Sequence, residues 1–245
     1  MIQAENLTKI FKDKKRGEVR AADAVSFTCR PGQVYGLLGP NGAGKTTTLR
    51  MLSTALRPTS GTAFVNGIDV VEEPQKVRAQ IGFLSGGTGL YGRLTPTEMV
   101  RYFGRLYGMP QSAIAERTKI LFDMLDMNEF ARTRIEKLSS GMKQKVSIAR
   151  SVIHDPPTMV FDEPTTGLDV MSSRTIVQFI HRCRDGGKTV IFSTHIMSEA
   201  MRLCDRVGII HKGRLYAEGT VAEMLSQTGT DTLEDAFIRI VGEQA

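Results

Sequence analysis

The stretch Gly39-Pro40-Asn41-Gly42-Ala43-Gly44-Lys45-Thr46 restricts what this chain can fold into more than any other. It matches the pattern Gly-x-x-x-x-Gly-Lys-Ser/Thr, and it stands between an apolar β-type run, QVYGLL, and a helical run, TTTLRMLSTAL, that ends at Pro58. That setting of strand, turn and helix is the one the pattern's chemistry needs. Glycines let the backbone curl until successive N–H groups point at one spot, and the helix N-terminus adds a favourable dipole for an anion. Residues Gly39, Pro40, Asn41, Gly42, Ala43, Gly44, Lys45, Thr46 and Thr47 therefore read as a cradle for the phosphates of ATP. Lys45 would bridge the β- and γ-phosphates, and the Thr46 hydroxyl would hold Mg²⁺. The plainer alternative, a glycine-rich turn with an exposed lysine, leaves three successive threonines at a helix start without a reason.

Three regions follow along the chain. Up to about Phe64, short β-type runs (IQAENLTKIF, AVSFTC, QVYGLL, TAFV) alternate with turn signals, which predicts a mixed β lobe with one helix. From Thr95 to about Ile153 the pattern is helical. Thr95, Pro96 and Glu98 form a capping box, Gly108-Met109-Pro110 stops that helix, and Ser112 opens the next, with Ile114, Leu121 and Leu125 on one face. From Pro157 on, TMVF and TVIFST alternate with SSRTIVQFIHRC and IMSEAMRLC, the mark of parallel βα units, before RVGIIH and RLYAEG form a hairpin across Lys212-Gly213. The expected fold class is α/β with a helical segment inserted into the core.

Thr158-Met159-Val160-Phe161-Asp162-Glu163 is an apolar strand ending in two carboxylates. Asp162 suits a Mg²⁺ shell, and Glu163, one residue on, suits a general base for water. Alone, such a pair more often starts a helix; beside a phosphate-binding loop the chemical reading takes precedence. The remaining bulk properties set bounds. A chain of 245 residues with 41% hydrophobic and 24% charged content has globular composition. It carries no apolar run of the roughly 18 residues that a spanning helix needs, and its start does not resemble a signal peptide, so a cytosolic chain is expected. Three scattered cysteines, Cys29, Cys183 and Cys204, support neither a disulfide frame nor a zinc site and read as buried thiols. The net charge of +6 fits an anionic partner without choosing one. Its densest run, Lys12, Lys14, Lys15, Arg16 and then Arg20, reads as a solvated turn between strands.

With these stretches in order, the sequence resembles the ATP-binding subunits of ABC transporters over nearly its whole length. Leu138-Ser139-Ser140-Gly141-Met142-Lys143-Gln144 is similar to the family's LSGGQ signature, VFDEP to its second acidic motif, Gly167-Leu168-Asp169 to its D-loop, and Ser193-Thr194-His195 to its switch histidine. Phe11, after Leu7-Thr8-Lys9, falls where the family stacks a ring on adenine, although core packing fits it nearly as well. LYGRLTPTE, YFGRLYGM and the ending Thr232-Leu233-Glu234-Asp235-Ala236-Phe237 resemble the sodium-efflux members that pair with ABC-2-type membrane subunits. The resemblance implies a RecA-like P-loop NTPase core with an N-terminal antiparallel β subdomain and an inserted α-helical subdomain. It divides the chain into residues 1–85 and 155–225 for the core and β subdomain, 86–154 for the helical signature subdomain and 226–245 for a tail helix. It implies an ATPase with ATP and Mg²⁺ as cofactors and Lys45, Glu163 and His195 as catalytic residues. Thr46 and Asp162 would hold the metal; Ser139, Gly141 and Asp169 would act on the nucleotide across a homodimer that sandwiches ATP. A separate membrane permease would be the second partner, holding the subunit at the inner face of the membrane, and no nucleic acid is expected.

Two departures stand out. Gly86, in Ser85-Gly86-Gly87 after the IGFL strand, replaces the family's usual glutamine, and the signature carries Ser140 for glycine and Met142 for glutamine. Two rival classes leave features unexplained. A soluble cassette that remodels DNA or ribosomes would carry a coiled-coil insertion or a second cassette. A P-loop kinase or GTPase would not need the signature stretch.

Overall fold

A computed structural model describes residues 1–13, 17–86 and 89–242 of the chain. Lys14, Lys15, Arg16 and Gly87 lie outside the described residues. Of the rest of the basic run, Lys12 and Arg20 lie within strands and not in a turn: β1 (Ile2–Asp13) pairs antiparallel with β2 (Gly17–Cys29), setting Lys12 opposite Glu18 and Arg20 opposite Ile10.

With β4 (Ser60–Val65) and the two-residue β5 (Ile68–Asp69), these strands make a four-stranded antiparallel sheet ordered β2-β1-β4-β5. A second sheet has six strands. β3 (Val34–Leu38), β6 (Ile81–Leu84), β7 (Thr158–Asp162), β8 (Thr189–Thr194), β9 (Arg206–His211) and β10 (Arg214–Gly219) are ordered β10-β9-β3-β8-β7-β6. All neighbours in it are parallel except the β9–β10 hairpin. The QVYGLL run, grouped by sequence order with the N-terminal lobe, thus belongs to the parallel sheet. All five residues of β3 are buried, as a strand covered on both faces requires.

The helices are α1 (Lys45–Leu52), α2 (Pro74–Gln80), α3 (Pro96–Leu106), α4 (Gln111–Met124), α5 (Ser140–Ser151), α6 (Val170–Asp185), α7 (Met197–Leu203), α8 (Val221–Thr228) and α9 (Leu233–Gly242). Thr95 and Glu98 close the expected capping box at α3. Other boundaries differ from expectation. α1 stops at Leu52, well short of Pro58, because Thr54 turns left-handed at φ 61. α4 starts at Gln111 behind Pro110, so Ser112 lies in its first turn and caps nothing. Where a single tail helix is expected over 226–245, the described residues form two helices, α8 and α9, separated by Gly229 at φ 59, and residues 243–245 lie outside the described residues.

Three apolar clusters bind these layers. One joins the N-terminal sheet to α1 and one face of the parallel sheet, through Leu7, Val25, Leu49 and Ile191. A larger one packs α3 to α6 on the opposite face, around Phe161, Phe179 and Phe192. The third seats α7 to α9 on β9 through Leu38, Ile209, Met224 and Leu233. Each fully buried side chain of this size contributes about 1.5–3 kcal/mol, so the sheet edge that carries the site is held on both sides. Among the described residues, no helix is long and apolar enough to cross a membrane. Cys29 and Cys183 are buried and Cys204 is half-buried. Burial pushes the Cys29 and Cys183 thiols up to about 12, as suits inert core groups.

Candidate functional site

The parallel sheet brings the chemistry together at one edge. β3, β7 and β8 are adjacent and run the same way, so the loops after them share the carboxyl end, where ligands bind in open α/β sheets. The P-loop follows β3, the Asp162-Glu163 pair ends β7, and His195 follows β8.

The loop itself is shaped by close approach. Gly44, the residue preceding α1, has φ 107, and a Cβ on it would lie 2.3 Å from the Ala21 carbonyl oxygen of β2. No side chain caps α1 and its first turn holds no acid, so its leading N–H groups face outward with the helix dipole behind them. Ala21, Asn41, Gly42, Ala43, Gly44, Thr46 and Thr47 line a cavity of about 290 Å³ together with Lys45 and Glu163. That lining is polar backbone with one cation and one carboxylate, the composition of a phosphate site. Phe11 is not among the lining residues. Its ring stands 41% exposed on the β1–β2 hairpin, opposite Val19 and 5.5 Å under the Lys9 ammonium.

Lys45 is nearly buried. Its Nζ donates to the carbonyls of Gly39 at 2.7 Å and Pro40 at 3.1 Å and sits 3.5 Å from Glu163 Oε1. Burial lowers its pKa, while the charges of Glu163 and Asp162 oppose that shift. The same Glu163 oxygen lies 3.2 Å from His195 Nδ1, and Thr166 donates its hydroxyl to Oε2 at 3.2 Å. Partial burial raises the Glu163 pKa, but the His195 hydrogen bond and the Lys45 charge outweigh it and hold the carboxyl below the ordinary range. Glu163 is therefore a carboxylate at neutral pH. Its backbone is left-handed, φ 49, and its N–H is tied to both the carbonyl (3.2 Å) and the hydroxyl (3.1 Å) of Ser193. Such a conformation in a non-glycine residue is costly and marks a site where geometry matters more than local comfort.

Next to it, Thr46 Oγ1 donates to Asp162 Oδ1 at 3.1 Å, and Ser193 Oγ donates to the same oxygen at 2.6 Å. A hydroxyl and a carboxylate meeting at contact distance are hard oxygen donors, the type that suits Mg²⁺. Among the described residues no group of three acidic, histidine or cysteine side chains could hold a metal by itself. Two protein oxygens with phosphate completing the shell is how Mg²⁺ is commonly held. Ser193 carries no local mark of a site residue, because its importance comes from strand register: it stands directly opposite Asp162 across β7 and β8.

The signature residues lie apart from this cluster. Ser139 is the N-cap of α5, its Oγ accepting from the Met142 N–H at 3.2 Å, and Gly141 lies inside the first turn. Asp169 caps α6 in the same way, accepting from the Ser172 N–H at 2.8 Å and the Ser172 hydroxyl at 2.7 Å. The two helix starts touch. A Cβ on Gly141 would meet Ser172 Oγ at 2.1 Å and Asp169 Oδ2 at 3.1 Å, so only glycine permits this approach. Ser139, Gly141 and Asp169 thus form a second group, and none of them lines the P-loop cavity.

Comparison with known proteins agrees with this geometry. The family model described as "ABC transporter" matches residues 22–166, well over half of the chain, taking in the P-loop, the Ser139–Gly141 stretch and the Asp162-Glu163 pair. The chain belongs to the ABC transporter family. It is an ATP-binding cassette of that family and an ATPase. It is 43% identical to the ABC transporter ATP-binding protein NatA of Bacillus subtilis (strain 168), over 97% of each chain. It is 35% identical to the linearmycin resistance ATP-binding protein LnrL of the same organism, over 99% of this chain and 76% of that one. Its fold superposes with a TM-score of 0.81 on the ATP-binding cassette MJ0796, a dimeric post-hydrolysis structure bound to ADP and Pi, at 27% identity over 90% of this chain and 99% of the other. In this cassette, Lys45, Glu163 and His195 form one contiguous group and the Ser139–Asp169 pair of helix starts another.

Proposed function

We propose that this cassette is the ATP-hydrolysing subunit of an exporter, working as a dimer that encloses two nucleotides and drives a separate membrane permease. The observation that carries the proposal is the convergence of Lys45, His195 and Thr166 on Glu163, beside the Thr46–Asp162 oxygen pair. The P-loop amides and Lys45 take the β- and γ-phosphates. Thr46 and Asp162 would hold Mg²⁺, which would supply neutralising charge for the phosphates. Glu163, kept ionised by its neighbours, accepts the proton of the attacking water, and His195 steadies the γ-phosphate as charge builds on it. Phe11 stacks on the adenine.

A single copy keeps Ser139 and Gly141 away from its own P-loop cavity. A two-fold arrangement lets the α5 start of one copy face the nucleotide of the other, with Asp169 between the sites. The dimeric state of MJ0796 supports this reading. Residues 86–154 then act as the arm that transmits closure. Tyr91, Tyr102, Leu106 and Tyr107 give that arm exposed apolar surface of the kind a protein partner covers.

For the cargo we propose Na⁺, supported by the likeness of LYGRLTPTE and YFGRLYGM to sodium-efflux members; ²²Na⁺ flux in vesicles carrying this chain and its permease tests it. The match to a linearmycin resistance protein favours drug export as the second reading. The hydrolytic reading is tested by Glu163→Gln. The variant keeps MgATP affinity, loses turnover by roughly 100-fold or more, and accumulates as an ATP-bound dimer on gel filtration. Undiminished turnover removes Glu163 from the role.

A further inference from the structure

Beside the P-loop cavity lies a second one of about 490 Å³, bordered by Thr46, Asp162 and Glu163 on the chemical side and by Gly86 and Gln144 on the other. Gly86 brings no side chain to it. A Cβ there would meet nothing within 4 Å among the described residues. Gln144 comes from α5, the helix that Ser139 caps, and reaches the loop of the candidate base: its Nε2 donates to the Pro164 carbonyl at 2.8 Å. Ser193 pins the amide of Glu163 and Gln144 pins the carbonyl of the next residue, so the strained Glu163 backbone is fixed from both sides.

A carboxamide with one N–H committed keeps its second N–H donor and its acceptor oxygen. Gln144 Oε1 has no partner among the described residues. The other long side chain on this cavity, Arg50, is a cation with no acceptor and cannot take a hydrogen bond from water. Thr166 spends its hydroxyl proton on Glu163 Oε2 and keeps only acceptor capacity, while Asn41, the second carboxamide on this cavity, makes no hydrogen bond to the Glu163-Pro164 loop among the described residues.

We infer that Gln144 is a positioning residue for hydrolysis: its Nε2 holds the Glu163-Pro164 loop in place, and its Oε1 orients the attacking water in the cavity that Gly86 leaves open. This rests on the reading of Glu163 as the base. It also gives α5 a task within its own copy, since movement of the α5 start reaches the base through Gln144.

The test uses the full chain, with steady-state MgATP hydrolysis, MgATP binding by a fluorescent analogue and thermal midpoint measured together. Gln144→Ala and Gln144→Met, the second keeping length without the amide, lower kcat by about 10- to 100-fold, the cost of a misplaced reacting group. Their Kd for MgATP and their melting temperature stay near those of the parent. Gly86→Gln, placed in the Gln144→Ala background, restores most of the lost kcat by supplying a carboxamide from the opposite rim. Wild-type kcat in both single variants overturns the inference. So does a loss that Gly86→Gln leaves unrepaired, because a mere tie between α5 and Pro164 would be broken in the same way and not mended from residue 86. Full turnover by Glu163→Gln would instead remove the parent reading, which separates the two failures.

Discussion

The P-loop and the start of α5 are both helix N-termini, and they treat their free amides in opposite ways. α1 opens from a left-handed glycine with no side-chain cap, so its leading N–H groups are presented to whatever lies in the cavity. α5 opens from Ser139, whose own hydroxyl oxygen accepts from the Met142 N–H, and it leans on a neighbour, α6, capped by Asp169 through Ser172. One terminus is prepared for an anion within a single chain. The other has one of its amides taken by its own cap, and in the proposed dimer it faces the phosphate held by another copy. On the proposed reading, the same dipole serves tight binding in one place and conditional closure in the other.

The comparison breaks most visibly at Lys45. Lys45→Ala removes a charge-assisted contact worth about 2–3 kcal/mol, so Kd for MgATP rises roughly 30- to 140-fold in titrations with a fluorescent nucleotide. Gly141→Ala sharpens the other half. The added Cβ meets Ser172 Oγ and pushes α5 away from α6, so ATP affinity of the isolated chain stays intact while turnover falls about 10-fold or more, in proportion to lost closure. Adding Ser172→Gly, which removes the obstructing side chain, recovers activity. Loss of ATP affinity in Gly141→Ala would show that the two termini are not independent.

His195→Ala tests the electrostatics of the first group. The His195 hydrogen bond is among the causes that hold the Glu163 pKa down, so removing it raises that pKa. The acid limb of the kcat against pH profile then moves to higher pH; no movement would separate His195 from Glu163. The same sign governs stability. A carboxyl with a depressed folded pKa contributes above its unfolded value and loses that contribution as pH falls through the folded one. The smallest effect is at Ser139→Ala, which loses a helix cap worth about 1 kcal/mol and lowers the melting temperature by roughly 2–4 °C.

Features built from neighbouring residues are legible in the sequence. The P-loop, the capping box at Thr95, the β9–β10 hairpin and the α/β class each depend on residues close together in the chain, where backbone preference and periodicity act. Boundaries are less legible. Nothing local in Thr54 announces the left-handed turn that ends α1, and Ser140 looks the same whether it precedes α5 or begins it.

The chemical parts are written in the chain itself: an anion-cradling loop with Lys45, a strand ending in Asp162-Glu163, a histidine after an apolar strand and a signature-like Ser139-Ser140-Gly141 stretch. Their grouping comes from long-range packing. The strand order β3-β8-β7 brings Lys45 and His195 each within 3.5 Å of Glu163 and sets Ser193 opposite Asp162. The packing of α5 on α6 sets Gly141 against Ser172 and sends Gln144 to Pro164. Local sterics and hydrogen bonds act over a few residues, whereas register between strands and contact between helices are settled by burial of surfaces far apart in the chain.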